Sequence, residues 1–242
     1  MNRNLWDRLM ESFGRKPKKD MFLTAIEKDS EAIILLHGLK RTRRSMEKAG
    51  RLLADFGYKI VNLDYPSTRQ AVEPLALACI GRAVRECEAA GVGKIHFLTH
   101  SMGGILVRYY LSVEPIEKLG RVVMLAPPNG GSEIVDKLGG WRLFYLLNGP
   151  AGLQLGTGYD SLPNRLGRVD FEVGVIAGDR TVNPLLSLLF RDSNDGKVAV
   201  GRTQVEGMRD FIVLPYSHTF IMWRDPVIRQ ALHFIQHGRF VK

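Results

Sequence analysis

The sequence is poor in cysteine and has no long uninterrupted run of apolar residues. Only Cys79 and Cys87 occur among the 242 residues, eight positions apart in a segment whose apolar spacing predicts one amphipathic helix. Eight helical residues separate two Cα atoms by about 12 Å, whereas a disulfide requires about 7 Å or less. The two cysteines are therefore predicted to be unpaired packing residues. No apolar run reaches the roughly 18 residues that a membrane-spanning helix needs.

The N-terminus also lacks the apolar segment of a secretory signal. Its first 20 residues contain acidic residues at positions 7 and 11, followed by the basic stretch GRKPKK. We therefore expect a cytoplasmic protein, and the loss of an earlier targeting segment stays open. Residues 1–20 are predicted to form an amphipathic, basic arm, and residues 21–242 to form a single domain.

Acidic residues are scarce in two parts of the chain, which carry most of the net charge of +9. Residues 1–20 contain six Lys or Arg and three acids, and residues 39–51 contain six and one. Nucleic-acid binding is disfavoured, because these basic stretches lack the interleaved aromatic residues on which bases stack. The remainder of the chain is close to neutral.

Apolar strand-like segments alternate with helical segments from residue 31 to the C-terminus. The predicted strands are EAIILLH, KIVNLDY, KIHFLT, RVVMLA, FEVGVIA and DFIVLP, and the predicted helices cover about 44–56, 72–90, 103–112 and 225–237. This alternation predicts an α/β fold with a mostly parallel central sheet and helices on both faces. The alternation stops over about residues 129–169, a segment rich in Gly and Pro that predicts a small inserted cap.

The stretch KIHFLTHSMGGILVRYYL places a serine between a strand and a helix. Ser101 follows the predicted strand directly, and Gly103 and Gly104 open the helix. A strand that turns into a helix without a loop strains the residue at the turn, and small neighbours allow the strand and the helix to approach closely. This pattern predicts a serine hydroxyl exposed at the top of a sheet.

The succession of strand, turn serine, glycine and helix resembles the nucleophile elbow of the α/β-hydrolases. The segment LLHGL resembles the His-Gly oxyanion loop of bacterial lipases and esterases of the triacylglycerol lipase type. The segments LAPPNGGSE, SNDGKV and PYSHTF also resemble segments of those enzymes. The resemblance implies the α/β-hydrolase fold, with Ser101 as nucleophile, His218 as base and Asp195 as acid. It implies that the backbone N–H groups of Leu39 and Met102 form the oxyanion hole.

Two positions depart from the family's pattern. Thr99 stands where the G-x-S-x-G motif begins with glycine, and Phe220 stands where calcium-dependent lipases of this group place an aspartate. We therefore expect no metal at the site, and the resemblance implies no cofactor.

The identity of the acid stays open between two carboxylates. Asp179 is the first acid after the strand FEVGVIA, a position that many hydrolases of this fold use. We prefer Asp195, which precedes a glycine and lies 23 residues before His218, and we expect Asp179 to bond the backbone N–H groups of its own turn.

Other candidates have more ordinary interpretations. His37 and His100 flank the oxyanion loop and the serine, and packing and hydrogen bonding are favoured over catalysis for both. His233 and His237 have a metal-binding spacing on a helix but no evident third ligand, so a solvated face is favoured. The apolar cluster from Trp141 to Leu147, which includes Phe144, forms either the core of the cap or a wall for the acyl chain.

These residues predict a metal-free serine hydrolase for carboxylic esters with short to medium acyl chains. A thioesterase, an acyltransferase or a catalytically silent binding module of the same fold stays as an alternative. The basic run Lys40, Arg41, Arg43 and Arg44 follows the oxyanion loop, so it predicts either a preference for anionic esters and anionic membrane surfaces or a merely solvated face.

Overall fold

The computed structural model describes residues 30–182, 190 and 192–242. The arm predicted at residues 1–20 therefore lies outside the described residues, as does the start of the domain predicted to begin at residue 21.

One parallel sheet organises the described part of the chain. Its six strands are β1 Glu31–Leu36, β2 Lys59–Asn62, β3 Lys94–His100, β4 Leu119–Leu125, β5 Val173–Gly178 and β6 Asp210–Leu214. They lie in the order β2-β1-β3-β4-β5-β6, and every neighbouring pair is parallel. The predicted fold class is confirmed, and each of the six predicted strands is present.

Helices cover both faces of the sheet. The larger ones are α1 Glu47–Asp55, α2 Val72–Ala89, α3 Met102–Val113, α5 Arg142–Leu153 and α8 Asp225–His237. Short helices are α4 Glu133–Leu138, α6 Leu162–Arg165 and α7 Val200–Thr203, and single turns of 3-10 helix occupy Arg43–Met46 and Ile221–Trp223. Among the described helices, none combines the length and the apolar composition needed to cross a bilayer.

The strands are apolar along their whole length because both faces of the sheet are buried. In β1, Ile34 packs into the cluster that contains residues of α2 and α3, while its neighbours Ile33 and Leu35 pack into the cluster that contains residues of α1 and α8. Cys79 and Cys87 are buried in the first cluster as free cysteines.

The chain between β4 and β5 contains the three helices α4, α5 and α6. Helix α5 is kinked at Gly149, whose backbone has φ 65° and ψ −170°, and Pro150 follows directly. A Cβ atom at Gly149 would lie 1.7 Å from the carbonyl oxygen of Thr68, so only glycine permits this approach of the helix to the loop after β2. The kink separates an exposed N-terminal half of α5 from a buried C-terminal half.

Candidate active site

Ser101 lies at the carboxyl end of β3, in the middle of the sheet. Its φ of 53° and ψ of −125° are unusual for a residue with a side chain. The backbone is held there because the Ser101 N–H donates to the carbonyl of Leu125 at 2.9 Å, while the Gly104 N–H donates to the Ser101 carbonyl at 3.0 Å. Helix α3 begins at the next residue, so the serine side chain leaves a tight turn between strand and helix.

The two glycines after Ser101 are required by close packing. A Cβ atom at Gly103 would lie 2.9 Å from the carbonyl oxygen of Leu36 and 3.0 Å from that of His37. A Cβ atom at Gly104 would lie 3.1 Å from the sulfur of Met124. The glycines thus let α3 approach the loop after β1, which brings Ser101 beside His37 and Gly38.

His218 lies in the loop after β6 and reaches Ser101. Its Nε2 is 2.9 Å from Ser101 Oγ, and its Nδ1 is 2.8 Å from Asp195 Oδ2. Since the carboxylate can only accept, Nδ1 carries the proton and Nε2 is free to accept the serine proton. The histidine is almost fully buried, at 3% exposure.

Asp195 is held by its own turn as well as by His218. Its Oδ1 accepts hydrogen bonds from the backbone N–H groups of Lys197 and Val198, at 2.9 and 2.8 Å. Its carbonyl accepts the N–H of His218 at 3.0 Å, so the two loops are also joined through their backbones. Gly196, with φ 95°, permits the turn. One carboxylate oxygen is thereby fixed by the backbone while the other orients the imidazole.

Asp179 does not contact this chain of hydrogen bonds. Its Oδ1 is buried without a hydrogen-bond partner and lies 3.7 Å from Nε of Arg180. No described N–H group donates to Asp179, but residues 183–189 of the segment that follows it lie outside the described residues, so the expectation that Asp179 bonds the N–H groups of its own turn stays a prediction. The turn is tied to the loop after β6, since the Arg180 N–H donates to the carbonyl of Tyr216 at 3.4 Å.

The N–H group of Leu39, in the loop after β1, has no hydrogen-bond partner among the described residues. The Gly38 carbonyl accepts from the Arg41 N–H at 3.2 Å and from His37 Nδ1 at 2.9 Å, which fixes the plane of the Gly38–Leu39 peptide. The hydroxyl of the buried Tyr65 donates to the carbonyl of His37. No described group accepts a hydrogen bond from the N–H of Leu39 or of Met102. Within the described residues, both predicted oxyanion donors are therefore without a hydrogen-bond acceptor.

His100 contacts the site through the backbone of His218. Its Nε2 donates to the His218 carbonyl at 3.0 Å, so Nε2 carries the proton. Its Nδ1 is buried without a hydrogen-bond partner. Burial lowers the pKa of His100 well below its ordinary value, and the nearby charges of His218, Lys197 and Arg41 lower it further. The sequence favoured packing and hydrogen bonding for this histidine, and the hydrogen bond to the His218 carbonyl agrees with that interpretation, although the partner was not predicted.

The apolar residues at the start of α5 do not form a core. Trp141 is 64% exposed and Leu146 is 75% exposed, while Phe144 is partly buried. The interpretation of this cluster as the core of the cap is wrong, because the kink at Gly149 turns this half of α5 away from the domain. The buried half of α5 contacts the site region, since Gly152 packs against Leu39.

Histidines elsewhere in the described residues show no ligand set for a metal. The rings of His233 and His237 lie with their centroids 4.4 Å apart and are tilted by 52°, and His233 Nδ1 donates to the carbonyl of Arg239. No cluster of three or more His, Cys, Asp or Glu side chains suited to a metal occurs within the described ranges.

The depressed pKa of His100 predicts a specific loss of stability in acid. An unfolded chain takes up a proton on this histidine near pH 6.5, but the folded protein does so only at lower pH. Stability therefore falls as the pH decreases below that value, by up to about 1.4 kcal/mol per pH unit. The variant His100→Gln lacks this titrating group. We therefore expect the difference in free energy of unfolding between wild type and His100→Gln to become smaller as the pH falls.

Urea unfolding of both proteins at about pH 7.5 and about pH 5.5 measures the change. Ser112 at the exposed end of α3 provides a control, because Ser112→Ala removes no titratable group and is expected to keep a constant difference from wild type. The prediction would be contradicted if the free energy of unfolding of His100→Gln differed from that of wild type by the same amount at both pH values.

Solved structures with this fold include several lipolytic enzymes. Phospholipase PlaB from Legionella pneumophila, in complex with thio-NAD, is 20% identical, with a TM-score of 0.71 over 87% of this chain and 59% of that one. The mature lipase BlEst2 from Bacillus licheniformis is 17% identical, with a TM-score of 0.63 over 89% and 93% of the two chains. Aspergillus fumigatus lipase B is 13% identical, with a TM-score of 0.65 over 90% and 55%.

This chain thus spans less than two thirds of the phospholipase, and these identities establish a shared fold alone. A comparison with curated proteins gives no match. A family model for the α/β-hydrolase fold matches residues 31–153, slightly more than half of the 242 residues, and includes β1, β3 and the Ser101 turn. The chain therefore belongs to the α/β-hydrolase fold family.

Proposed function

We propose that this protein is a serine hydrolase that cleaves carboxylic esters through an acyl-enzyme intermediate. The observation that carries the proposal is the continuous chain of hydrogen bonds from Ser101 Oγ to His218 to Asp195, at 2.9 and 2.8 Å. A serine hydroxyl is a poor nucleophile at neutral pH unless an oriented base accepts its proton. The similarity to structures named as lipases and a phospholipase supports an ester as the substrate.

In the proposed reaction, His218 Nε2 accepts the proton as Ser101 Oγ attacks the acyl carbon. Asp195 keeps Nδ1 protonated and stabilises the imidazolium that forms. The carbonyl oxygen becomes an oxyanion and accepts hydrogen bonds from the N–H groups of Leu39 and Met102. The imidazolium then protonates the leaving alcohol. A water molecule releases the acyl group by the same steps in reverse order, with His218 as base.

Acyl chains of short to medium length are proposed from the small size of the cap. Only three helices, of which the longest has 12 residues, lie between β4 and β5, which offers little wall for a long chain. Phe144 is partly buried at the same cap and Trp141 is exposed beside it, and we propose both as contacts for the apolar part of the substrate. A cytoplasmic location stays a prediction from the sequence.

The variant Ser101→Ala tests the proposed function. We expect it to fold, to lose labelling by a fluorophosphonate probe and to lose about 10⁴-fold to 10⁶-fold in kcat. Turnover is measured on p-nitrophenyl esters from acetate to palmitate, with Ser112→Ala on the exposed end of α3 as the matched control.

A Ser101→Ala protein that keeps about a tenth or more of the wild-type turnover would disprove the role of Ser101. Wild-type protein that fails to react with the probe would instead indicate a catalytically silent fold. Labelling without hydrolysis of any ester in the series would favour a thioesterase or an acyltransferase.

The variants Asp195→Asn and Asp179→Asn test the identity of the acid. Asp195→Asn leaves the imidazole without its orienting carboxylate, so we expect kcat to fall by about 10⁴. Asp179→Asn changes a carboxylate outside the hydrogen-bonded chain, so we expect nearly normal kcat. Melting temperatures of both variants separate catalytic loss from unfolding. If Asp195→Asn is active while Asp179→Asn is folded but inactive, Asp179 is the acid of the triad and Asp195 lies outside it.

We also propose peripheral contact with an anionic membrane surface. Trp141, Leu143 and Leu146 form an exposed apolar surface on the cap, and the protein carries a net charge of +9. Apolar insertion combined with cationic attraction favours anionic lipid. Ser101→Ala protein is expected to sediment with phosphatidylglycerol vesicles at low salt and not with phosphatidylcholine vesicles. Equal sedimentation with both vesicle types, or with neither, would remove the proposal.

A further inference from the structure

Three cationic residues lie next to the catalytic loops in sequence, and their backbones are fixed there in the structure. Lys40 and Arg41 follow the oxyanion residue Leu39 directly, and Lys197 follows Asp195 by two residues. Lys40 itself adopts a strained backbone with φ 58°, and its N–H donates to Ser67 Oγ at 3.0 Å. The three residues come from two separate loops that meet at His218.

Arg41 is held against the histidine loop. Its Nη2 donates to the carbonyl of Thr219 at 3.3 Å, and its guanidinium carbon lies 5.8 Å from the ring centroid of Trp223. Thr219 is the residue directly after His218, so a permanent positive charge sits within one residue of the proposed base. A planar guanidinium fixed on an aromatic ring loses little further entropy when it binds an anion.

Lys197 has a fixed backbone and a side chain that retains contact with solvent. Its N–H donates to Asp195 Oδ1 at 2.9 Å, and its carbonyl accepts from Ser132 Oγ at 2.6 Å. Desolvation by neighbouring groups lowers the pKa of its ammonium, the charges of Arg41 and Lys40 lower it further, and Asp195 opposes the shift. Geometry brings the two loops together at His218, because Arg41 donates to the carbonyl of Thr219, the residue after His218, and Lys197 lies two residues after Asp195, which accepts from His218.

No carboxylate forms a salt bridge with this group within the described part of the chain, and the single negative charge of Asp195 offsets only part of the charge of three cations. None of the salt bridges there includes Lys40, Arg41 or Lys197, and neighbouring carboxylates have other partners. These pairs are Asp195 with His218, Glu133 with Arg202, and Asp179 with Arg180. Two other cations of the same basic run are paired, Lys48 with Asp225 and Arg51 with Glu47. The unpaired positive charge is therefore concentrated beside the site.

Like charges held close together repel each other and favour a bound anion. We propose that Lys40, Arg41 and Lys197 form a binding site for a negatively charged group of the ester substrate, a phosphate or a carboxylate. The inference rests on the proposed ester hydrolysis and adds the substrate class. The anion is carried either on the acyl group or on the alcohol, and both sources offer the same oxygen acceptors to the cations.

Two pairs of soluble short-chain esters test the site. The first pair is p-nitrophenyl butyrate and the mono-p-nitrophenyl ester of glutaric acid, which carries a carboxylate on the acyl side. The second is butyrylglycerol and butyrylglycerol phosphate, which carries its anion on the alcohol side. We expect wild-type kcat/KM at low salt to favour the anionic member of at least one pair by about tenfold or more, and high salt to reduce this ratio.

The variant Lys197→Gln is expected to lower the anionic-to-neutral ratio by about fivefold. An effect of the variant on the triad changes kcat/KM for both esters alike, so it cancels in the ratio. Lys197→Gln also keeps the backbone N–H that donates to Asp195. Arg44→Gln, an exposed change of the same charge in the same basic run, is the control and is expected to keep the wild-type ratio.

Three outcomes would overturn the inference. The first is an anionic-to-neutral ratio of kcat/KM near one for both pairs in the wild-type protein. The second is a drop of this ratio that is equal in Lys197→Gln and Arg44→Gln, which would indicate general attraction by the net charge. The third is a preference that appears only on anionic vesicles and never with soluble esters. Fluorophosphonate labelling and hydrolysis of the neutral esters report on the proposed function separately, so its failure would be visible independently.

Discussion

The bond between His218 and Asp195 is the interaction on which the site depends. Its 2.8 Å distance joins the loops after β5 and β6, and the N–H of His218 donates to the Asp195 carbonyl beside it. Because the other carboxylate oxygen accepts two backbone N–H groups, the carboxylate cannot rotate away from the imidazole. The parallel sheet places both loops at the same edge as Ser101, so the order of the strands determines that the three side chains meet.

A second constraint is the strained turn at Ser101, which local propensity alone would not maintain. A positive φ costs on the order of 1 kcal/mol or more for a residue with a side chain. Hydrogen bonds from both sides of the turn offset this cost, and Gly103 allows α3 to approach the carbonyl oxygens of Leu36 and His37. The same close approach brings the loop after β1 next to Ser101, since a Cβ atom at Gly38 would lie 3.0 Å from the Cβ of Ser101.

The fold could be predicted because buried parallel strands are continuous apolar runs, and the turn at Ser101 because its glycines follow a strand without a loop. Contacts between loops that lie far apart in the sequence were harder to predict. Spacing could favour Asp195 over Asp179, but only the folded chain brings Asp195 to His218 and leaves Asp179 beside Arg180. The core interpretation of Trp141 to Leu147 was wrong because an apolar segment does not reveal that Gly149 kinks its helix. The grouping of Lys197 with Arg41 joins loops 156 residues apart in sequence, and only its spacing from Asp195 hinted at a place near the site.

The central claim is that Ser101 carries the acyl group during turnover. Wild-type protein is mixed rapidly with a p-nitrophenyl ester and quenched in acid, and the peptide containing Ser101 is weighed by mass spectrometry while released p-nitrophenol is followed in parallel. We expect a burst of p-nitrophenol stoichiometric with the enzyme and a peptide heavier by one acyl group at Ser101. Steady hydrolysis in which the acyl group is found on another residue would contradict it.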